Sequence, residues 1–315
     1  MFESIPFPIY MKSESTGAFS LLVSKGDQLS GSKRRQIQKH SRGMVYIQSK
    51  YYAAEAERAL DNILADCEMD VEEKVPLFFS YATERLAEVF ERISEEGGQN
   101  ATLVLPVAEQ ALGLVQQDWK AAFSLLQLAQ KSPETYAHSL NVCLFGLSYV
   151  QNHVPMYSEG ELKEIAFGFL SHDIGELLVS DDLLNKKSRL TSIERKIIRQ
   201  IPLHGHKVLM ESDCDYPPAV EIVMNHHERV DGTGYPRGLA ENRIPLLARV
   251  CTVCEVFDTM TSPQIYRKEA PLTAFEALNR MVKEDPGQFD LRVLANFIRM
   301  MGGKPNCGIE DESVG

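Results

Sequence analysis

Residues 226–236 read HHERVDGTGYP, and no other stretch of the chain indicates a binding site as clearly. It brings two imidazoles, two carboxylates and a turn ending in Tyr235-Pro236 into eleven positions. Four glycine or proline residues lie between positions 232 and 238, and they force an irregular backbone that cannot be helical. The sequence therefore predicts a loop that fixes Tyr235 directly after two histidines. Without those histidines, a structural turn with a packed tyrosine would be preferred.

Further metal-capable side chains lie upstream of this loop. His172-Asp173 follows the apolar segment 166–171 of a predicted buried helix. Glu134 and His138 are four residues apart and share one face of another predicted helix, although a surface ion pair explains that spacing alone more often. Adjacent residues diverge by about 100° on a helix, so both members of a pair reach one centre only near a helix end or around several ions. The pattern predicts a di- or trinuclear metal cluster.

The chemistry of these side chains indicates the metal and the reaction. Mixed imidazole and carboxylate ligands without a thiolate favour iron or manganese and are compatible with zinc. Two such ions can activate a bridging water as hydroxide and brace phosphate oxygens during in-line attack on phosphorus. Phosphodiester hydrolysis is the predicted reaction class. Cys251 and Cys254 form a CxxC inside a helical pattern without a second pair, so core packing is preferred to a zinc or redox site.

Composition and charge narrow the class of protein. The chain has 315 residues, of which 44% are apolar and 24% charged, as expected for folded domains. Its net charge of -11 argues against binding to duplex nucleic acid, which needs a basic surface. No apolar run approaches the roughly 20 residues of a membrane span, and the N-terminus lacks a signal-peptide pattern. A cytoplasmic protein without membrane contact is expected.

The first part of the chain is predicted to be a small α/β module. Apolar patterns indicate strands at 8–11, 19–23 and 43–47, with a helical segment at 30–40 between the last two. Two helical stretches then lead to a polar, glycine-containing break at 94–100. Residues 1–98 are expected to form this module and its connecting helices, with a sensory or dimerisation role. A homodimer is compatible with the sequence.

The remainder of the chain is predicted to be helical. Residues 101–301 show almost continuous helical periodicity, interrupted by prolines and by the loop that begins at Gly232. The prediction is therefore a mainly α protein, in which an all-helical domain at 99–303 follows the α/β module and precedes a flexible tail at 304–315.

Taken together, the motifs resemble those of the HD-GYP family of metal-dependent phosphodiesterases over roughly Glu134 to Met301. The family's motifs are matched in order by Glu134 and His138, by His172 to Gly175, by Pro202 and Gly205, by residues 226–236, and by Ala248-Arg249-Val250 leading to Glu255 and Asp258. The resemblance implies an all-helical HD-domain bundle. It also implies that cyclic di-GMP, or a related cyclic dinucleotide such as cyclic GMP-AMP, is hydrolysed by a metal-bridged hydroxide.

Individual roles follow from the same resemblance. The implied metal ligands are Glu134, His138, His172, Asp173, His226, His227 and Glu255. Asp173 and Tyr235 are implied in catalysis, and Tyr235, Gly234, Pro236 and Arg267 are implied in substrate binding.

Four positions depart from the family pattern, and three of them, Glu176, Ile201 and Gln264, support an alternative. Glu176 replaces a phosphate-facing lysine, Ile201 replaces a metal-binding histidine, Glu255 replaces an aspartate, and Gln264 replaces an arginine. His204, three residues after Ile201, is a candidate for a compensating ligand. The alternative is a degenerate HD-GYP signalling scaffold that binds metal or cyclic di-GMP and acts through protein partners. The seven retained ligands and the intact Gly-Tyr-Pro loop favour catalysis.

Overall fold

The structure is a computed structural model that describes residues 9–12, 19–24, 57–58, 60–119, 135–154, 156–263, 270–283 and 287–302. The chain divides into two compact units, residues 1–62 and 63–315. In the first unit, strands β1 (Ile9–Lys12) and β2 (Phe19–Val23) pair in antiparallel fashion, close to the first two predicted strands. The third predicted strand and the helical segment at 30–40 lie outside the described residues.

The second unit is helical, which confirms the predicted fold class. Its described residues form eleven α-helices: α1 (Val71–Glu95), α2 (Leu105–Gln117), α3 (Thr135–His153), α4 (Glu159–Leu170), α5 (Asp181–Leu184), α6 (Ser192–Ile198), α7 (Ile201–Glu211), α8 (Pro217–Asn225), α9 (Leu246–Thr261), α10 (Ala274–Lys283) and α11 (Leu291–Met301). Short 3-10 segments occur at Ala101–Val104, Ile174–Leu178 and Glu241–Arg243. None of these helices is both long and apolar enough to cross a bilayer.

Close packing of α4 against α8 brings two histidine-bearing helix ends together. Helix α4 begins at a capping box formed by Ser158 and Glu161, and residues 165–170 at its other end are all buried. At the contact, a Cβ added to Gly168 would lie 2.7 Å from the Cα of Ala219, so only glycine allows the two backbones to approach so closely. The C-terminal ends of both helices therefore lead into the same region of the core.

A second close approach fixes the turn that follows α4. A Cβ added to Gly175 would lie 2.0 Å from the carbonyl oxygen of Ile201 and 2.6 Å from the amide nitrogen of Gly205. The 3-10 segment Ile174–Leu178 therefore packs directly on the first turns of α7. This contact determines where the side chains at 173 and 176 lie relative to α7.

Helix α1 belongs to the second unit, where it packs on α2 and α3. In the sequence it lies within residues 1–98, which are predicted to form the N-terminal module and its connecting helices. The break at 94–100 is confirmed as a helix stop, because α1 ends at Glu95 and Asn100 has a φ of 66°. The limits of the functional domains, and the tail at 304–315, stay predictions.

Candidate metal centre

Three elements bring five of the predicted ligands together. Potential ligand atoms of His138, His172 and Asp173 lie within 4.8 Å of one another, and so do those of Asp173, His226 and His227. Helix α3 carries His138, the turn after α4 carries the next two residues, and the end of α8 carries the last two. Because Asp173 belongs to both groups, the two groups adjoin and form one candidate metal centre.

The rings of His172 and His226 are oriented by carbonyl groups at helix ends. Nδ1 of His172 lies 2.9 Å from the Phe169 oxygen, and Nδ1 of His226 lies 3.1 Å from the Val223 oxygen. Carbonyls in the last turn of a helix lack helical donors, so they accept these bonds and assign the ring proton to Nδ1. The Nε2 lone pair of each fully buried ring is left for the centre.

Buried polar atoms without partners show that the residues present fit a metal ion. Nε2 of His172 lies 3.3 Å from Oδ2 of Asp173 but does not form a hydrogen bond with it. Oε2 of Glu255 is also buried without a hydrogen-bond partner. Such atoms are costly to bury unless a further partner satisfies them, and imidazole nitrogens with carboxylate oxygens are a suitable donor set for a divalent ion.

The carboxylate of Asp258 orients the remaining histidine. Oδ2 of Asp258 lies 2.7 Å from Nδ1 of His138, while Oδ1 accepts hydrogen bonds from Asn141 Nδ2 at 2.7 Å and Ser262 Oγ at 2.8 Å. Asp258 is fully buried. The sequence matched it to a family motif but gave it no role. A carboxylate behind a ligating histidine fixes the ring and increases its basicity, so Asp258 supports the centre from outside the ligand groups.

The charges around the centre act differently on its individual side chains. Burial raises the pKa of Asp173, but the neighbouring His172 and His226 outweigh it and hold this pKa well below its usual range. Burial and the adjacent His226 lower the pKa of His227 to about 4, so its ring is neutral near pH 7. Burial lowers the pKa of His138, but the hydrogen bond to Asp258 outweighs it and raises the pKa to about 9. Cation binding at His138 therefore releases a proton.

The loop at 228–239 is fixed by a buried carboxylate that the sequence interpretation missed. Oε1 of Glu228 accepts the amide of Arg237 at 2.8 Å, and Oε2 accepts the amide of Leu239 at 2.9 Å. A Cβ added to Gly234 would lie 2.3 Å from the amide nitrogen of Arg229, so the turn requires glycine. An acid placed just before a glycine-rich turn was the available signal for this role. The consequence is a defined position for the intervening Tyr235.

Tyr235 lies at the end of a row of aromatic rings. Successive ring centroids are 5.3 Å apart for His138 and His172, 5.2 Å for His172 and His226, 4.1 Å for His226 and His227, and 4.6 Å for His227 and Tyr235. Burial, followed by the carboxylate of Glu255, raises the pKa of Tyr235. Its hydroxyl is therefore a hydrogen-bond donor beside the centre.

The remaining predicted residues lie outside the two ligand groups or outside the described residues. Glu255 lies outside both ligand groups, but its Oε1 is 3.5 Å from Nδ1 of His227. His204 is in neither group, and Ile201 is buried against the Gly175 turn. Burial, then the nearby Asp173 carboxylate, raises the pKa of Glu176 to about 8. Glu134, Gln264 and Arg267 lie outside the described residues.

The buried thiols of α9 are separate from the ligand groups. Cys251 and Cys254 are fully buried, and burial raises the pKa of each thiol well above its usual range. Neither belongs to a group of potential ligands among the residues described. These observations agree with core packing.

Comparison with known proteins identifies the helical region. A family model described as an HD domain matches residues 151–293. The chain is 38% identical over 188 residues to cyclic di-GMP phosphodiesterase PA4108 of Pseudomonas aeruginosa, covering 59% of this chain and 44% of that protein. It is 39% identical over 116 residues to a cyclic di-GMP phosphodiesterase of Thermotoga maritima, covering 36% of this chain and 32% of that protein. The chain thus spans less than half the length of either relative.

A solved structure shares the fold. Bd1817 of Bdellovibrio bacteriovorus, described as an HDG"Y"P protein, superposes with a TM-score of 0.66 at 16% identity, and the match covers 96% of each chain. The fold, the HD-domain match and the relatives agree with the motifs at His172-Asp173 and 226–236. Residues 151–293 therefore match the HD-domain family, and the chain is similar in fold to an HDG"Y"P protein.

Proposed function

We propose that this chain hydrolyses a phosphodiester bond of a cyclic dinucleotide, with cyclic di-GMP as the first substrate to test. The observation that carries this proposal is the sharing of Asp173 between two adjoining groups of potential ligands. Phosphodiester hydrolysis uses two neighbouring cations to stabilise the attacking and leaving oxygens. The names of the Pseudomonas and Thermotoga relatives support the choice of substrate.

The proposed centre is di- or trinuclear. His138, His172 and Asp173 would hold one ion, and Asp173, His226 and His227 a second, while Glu255 and Glu134 are proposed as additional ligands. This donor set favours iron or manganese and is compatible with zinc. When bound, such ions supply positive charge for the phosphate oxygens and lower the pKa of a water that serves as the nucleophile.

The chain's own residues would bind and orient the substrate. The protonated Tyr235 hydroxyl is proposed to donate a hydrogen bond to a phosphate oxygen, with Gly234 and Pro236 providing the rigid turn that presents it. Arg229 adds positive charge beside it, because its Nη1 is held 3.2 Å from the carbonyl oxygens of both His226 and Glu228. Arg267 is proposed as a further phosphate contact.

Hydrolysis of cyclic dinucleotides by metal-reconstituted protein tests the proposal. Protein purified without oxygen and loaded with iron or manganese should cleave cyclic di-GMP, and a chelator should abolish the activity. Cyclic GMP-AMP is assayed in parallel, because none of the motifs reads a base. An absence of turnover in protein that holds two or more ions per chain would contradict the enzyme hypothesis.

One observation favours a non-catalytic scaffold as the second candidate. Glu176 adds a carboxylate close to Asp173 and Glu255, where an anionic substrate would be repelled unless the group is protonated. Restoring the family residues with Glu176→Lys and Ile201→His separates the candidates. A large gain of activity from a silent parent supports the scaffold, whereas an active parent supports the enzyme.

A further inference from the structure

Arg199 lies beside the proposed substrate site but belongs to none of the family motifs. It follows α6 directly, and its guanidinium carbon lies 5.6 Å from the centroid of the Tyr235 ring. This distance is within the range of a cation–π contact. The residue is exposed, and within the described part of the chain no carboxylate pairs with it. Its charge is therefore available to a ligand that reaches Tyr235.

The backbone around Arg199 is well anchored. Helix α6 begins at a capping box in which Thr191 and Glu194 satisfy each other's main-chain amides, and Lys186 Nζ lies 2.5 Å from Oε1 of Glu194. The amide of Arg199 donates to the carbonyl oxygen of Arg195 at 3.0 Å. Two residues later, α7 begins at Ile201, whose carbonyl oxygen approaches the Gly175 turn. The guanidinium is thus carried by a segment packed against the turn that bears Asp173.

Two arginines lie near Tyr235, and they differ in their available donors. Arg229 directs Nη1 at two main-chain carbonyls, each 3.2 Å away. Arg199 has its guanidinium carbon over the Tyr235 ring, and a cation–π contact of this kind leaves the N–H groups of the guanidinium available. Those N–H groups match the paired oxygens of a phosphate diester. Arg199 therefore presents a preformed anion contact at the outer end of the row of rings.

A cyclic dinucleotide needs such a contact, because it contains two phosphodiesters. Only one can be cleaved at the metal centre in a given turnover, and the other carries its negative charge elsewhere on the protein. The chain has a net charge of -11, and Glu176 occupies a position where the motif match expected a lysine. A cation outside the centre would therefore favour binding of the second phosphate.

We propose that Arg199, in cation–π contact with Tyr235, binds the phosphodiester of a cyclic dinucleotide that is not being cleaved. This inference rests on the proposed function and assigns Arg199 to substrate binding and specificity. It distinguishes substrates with two phosphodiesters from those with one. A bidentate charge-assisted contact contributes to the affinity for the former and nothing to the affinity for the latter.

The test compares Arg199→Gln with Arg195→Gln in the full-length, manganese-loaded protein. Arg195 is exposed on the same helix, so both variants remove one positive charge from α6. Cyclic di-GMP carries two phosphodiesters and bis(p-nitrophenyl) phosphate carries one. For Arg199→Gln, we expect the KM for cyclic di-GMP and its Kd from equilibrium titration to rise roughly 10- to 100-fold. Cleavage of bis(p-nitrophenyl) phosphate should stay unchanged. Arg195→Gln should resemble the wild type with both substrates.

Three outcomes overturn the inference, and they are distinguishable. If both variants bind cyclic di-GMP with the same affinity and the wild type is active, the role of Arg199 is refuted and the proposed function is not. Equal losses on both substrates would show that Arg199 only positions Tyr235. A wild type that holds its metals but neither binds nor cleaves a cyclic dinucleotide would refute the proposed function together with this inference.

Discussion

The ligand cluster (His138, His172, Asp173, His226 and His227) and the substrate rim (Glu176, Arg199, Ile201 and Tyr235) differ in what fixes their side chains. In the cluster, buried carbonyl oxygens or the Asp258 carboxylate orient three of the imidazoles. At the rim, Arg199 contacts the face of a ring, and burial, followed by the nearby Asp173 carboxylate, raises the pKa of Glu176 to about 8. Buried contacts therefore orient the cluster, whereas the rim contributes no side chain to the two ligand groups. Metal binding and substrate recognition should be separable by mutation.

The largest effect is expected from Asp173→Asn, because this carboxylate is common to both ligand groups. Loss of its charge should release metal and reduce turnover by about 100-fold or more, since several kcal/mol of cation binding are removed. Elemental analysis gives the number of ions per chain, and an assay with cyclic di-GMP gives the rate. Asp182→Asn, an exposed acid on α5, is the matched control and should retain both. Full metal occupancy in Asp173→Asn would contradict the assignment of Asp173 to the ligand cluster.

A smaller effect is expected when the support behind the cluster is changed. Asp258→Asn removes the negative charge that holds the His138 ring, and the affinity for metal should fall about 10- to 100-fold. Competition with a chelator of known affinity measures this change. Ser262→Ala removes only one hydrogen bond to Asp258 and should have a much smaller effect. Similar affinities in Asp258→Asn and the wild type would show that packing alone orients His138.

A substitution in the loop that presents Tyr235 tests the substrate rim without changing any charge. Gly234→Ala places a Cβ 2.3 Å from a backbone nitrogen, so the turn must shift and the free energy of unfolding should fall by about 1–3 kcal/mol. The KM for cyclic di-GMP should rise while metal content stays constant. Gly113→Ala is the control, because nothing lies within 4 Å of its added Cβ and the change should stabilise α2 by about 0.5–1 kcal/mol. Denaturant titration measures the free energy of unfolding of both variants. Loss of metal in Gly234→Ala would contradict the separation of metal binding from substrate recognition.

The smallest effect concerns the pH dependence of stability at Glu176. Its pKa is raised from 4.5 to about 8 in the folded chain, so the folded state holds a proton that the unfolded state has lost between these values. In chelator-treated protein, the wild type should therefore lose stability relative to Glu176→Gln as the pH rises from about 5 to about 8. The difference should then be constant at higher pH. Denaturant titrations at pH 5, 7 and 9 measure it, and parallel stability curves would contradict the raised pKa.

The sequence predicted the cluster because helix ends have a local signature. Vicinal ligand pairs were expected to lie near helix ends or around several ions, and His172 follows the last turn of α4 while His226 caps α8. The helical periodicity of the apolar residues also predicted the helical fold. This periodicity did not indicate that α1 packs with the second unit, because an amphipathic pattern does not show which helix it packs against.

The supporting residues could not be predicted, because their contacts depend on tertiary packing. His138 and Asp258 are 120 residues apart, and their contact forms only when α3 packs on α9. Arg199 meets Tyr235 only because the Gly175 turn and the Glu228 loop are both fixed by long-range contacts. The spacing of these residues along the chain does not indicate that they are in contact.

The most direct measurement of the central claim is anomalous scattering from crystals of protein that has been loaded with iron or manganese. The account predicts at least two peaks per chain, one among His138, His172 and Asp173 and one among Asp173, His226 and His227, with Asp173 contacting both. A single peak, or peaks distant from these side chains, would contradict it.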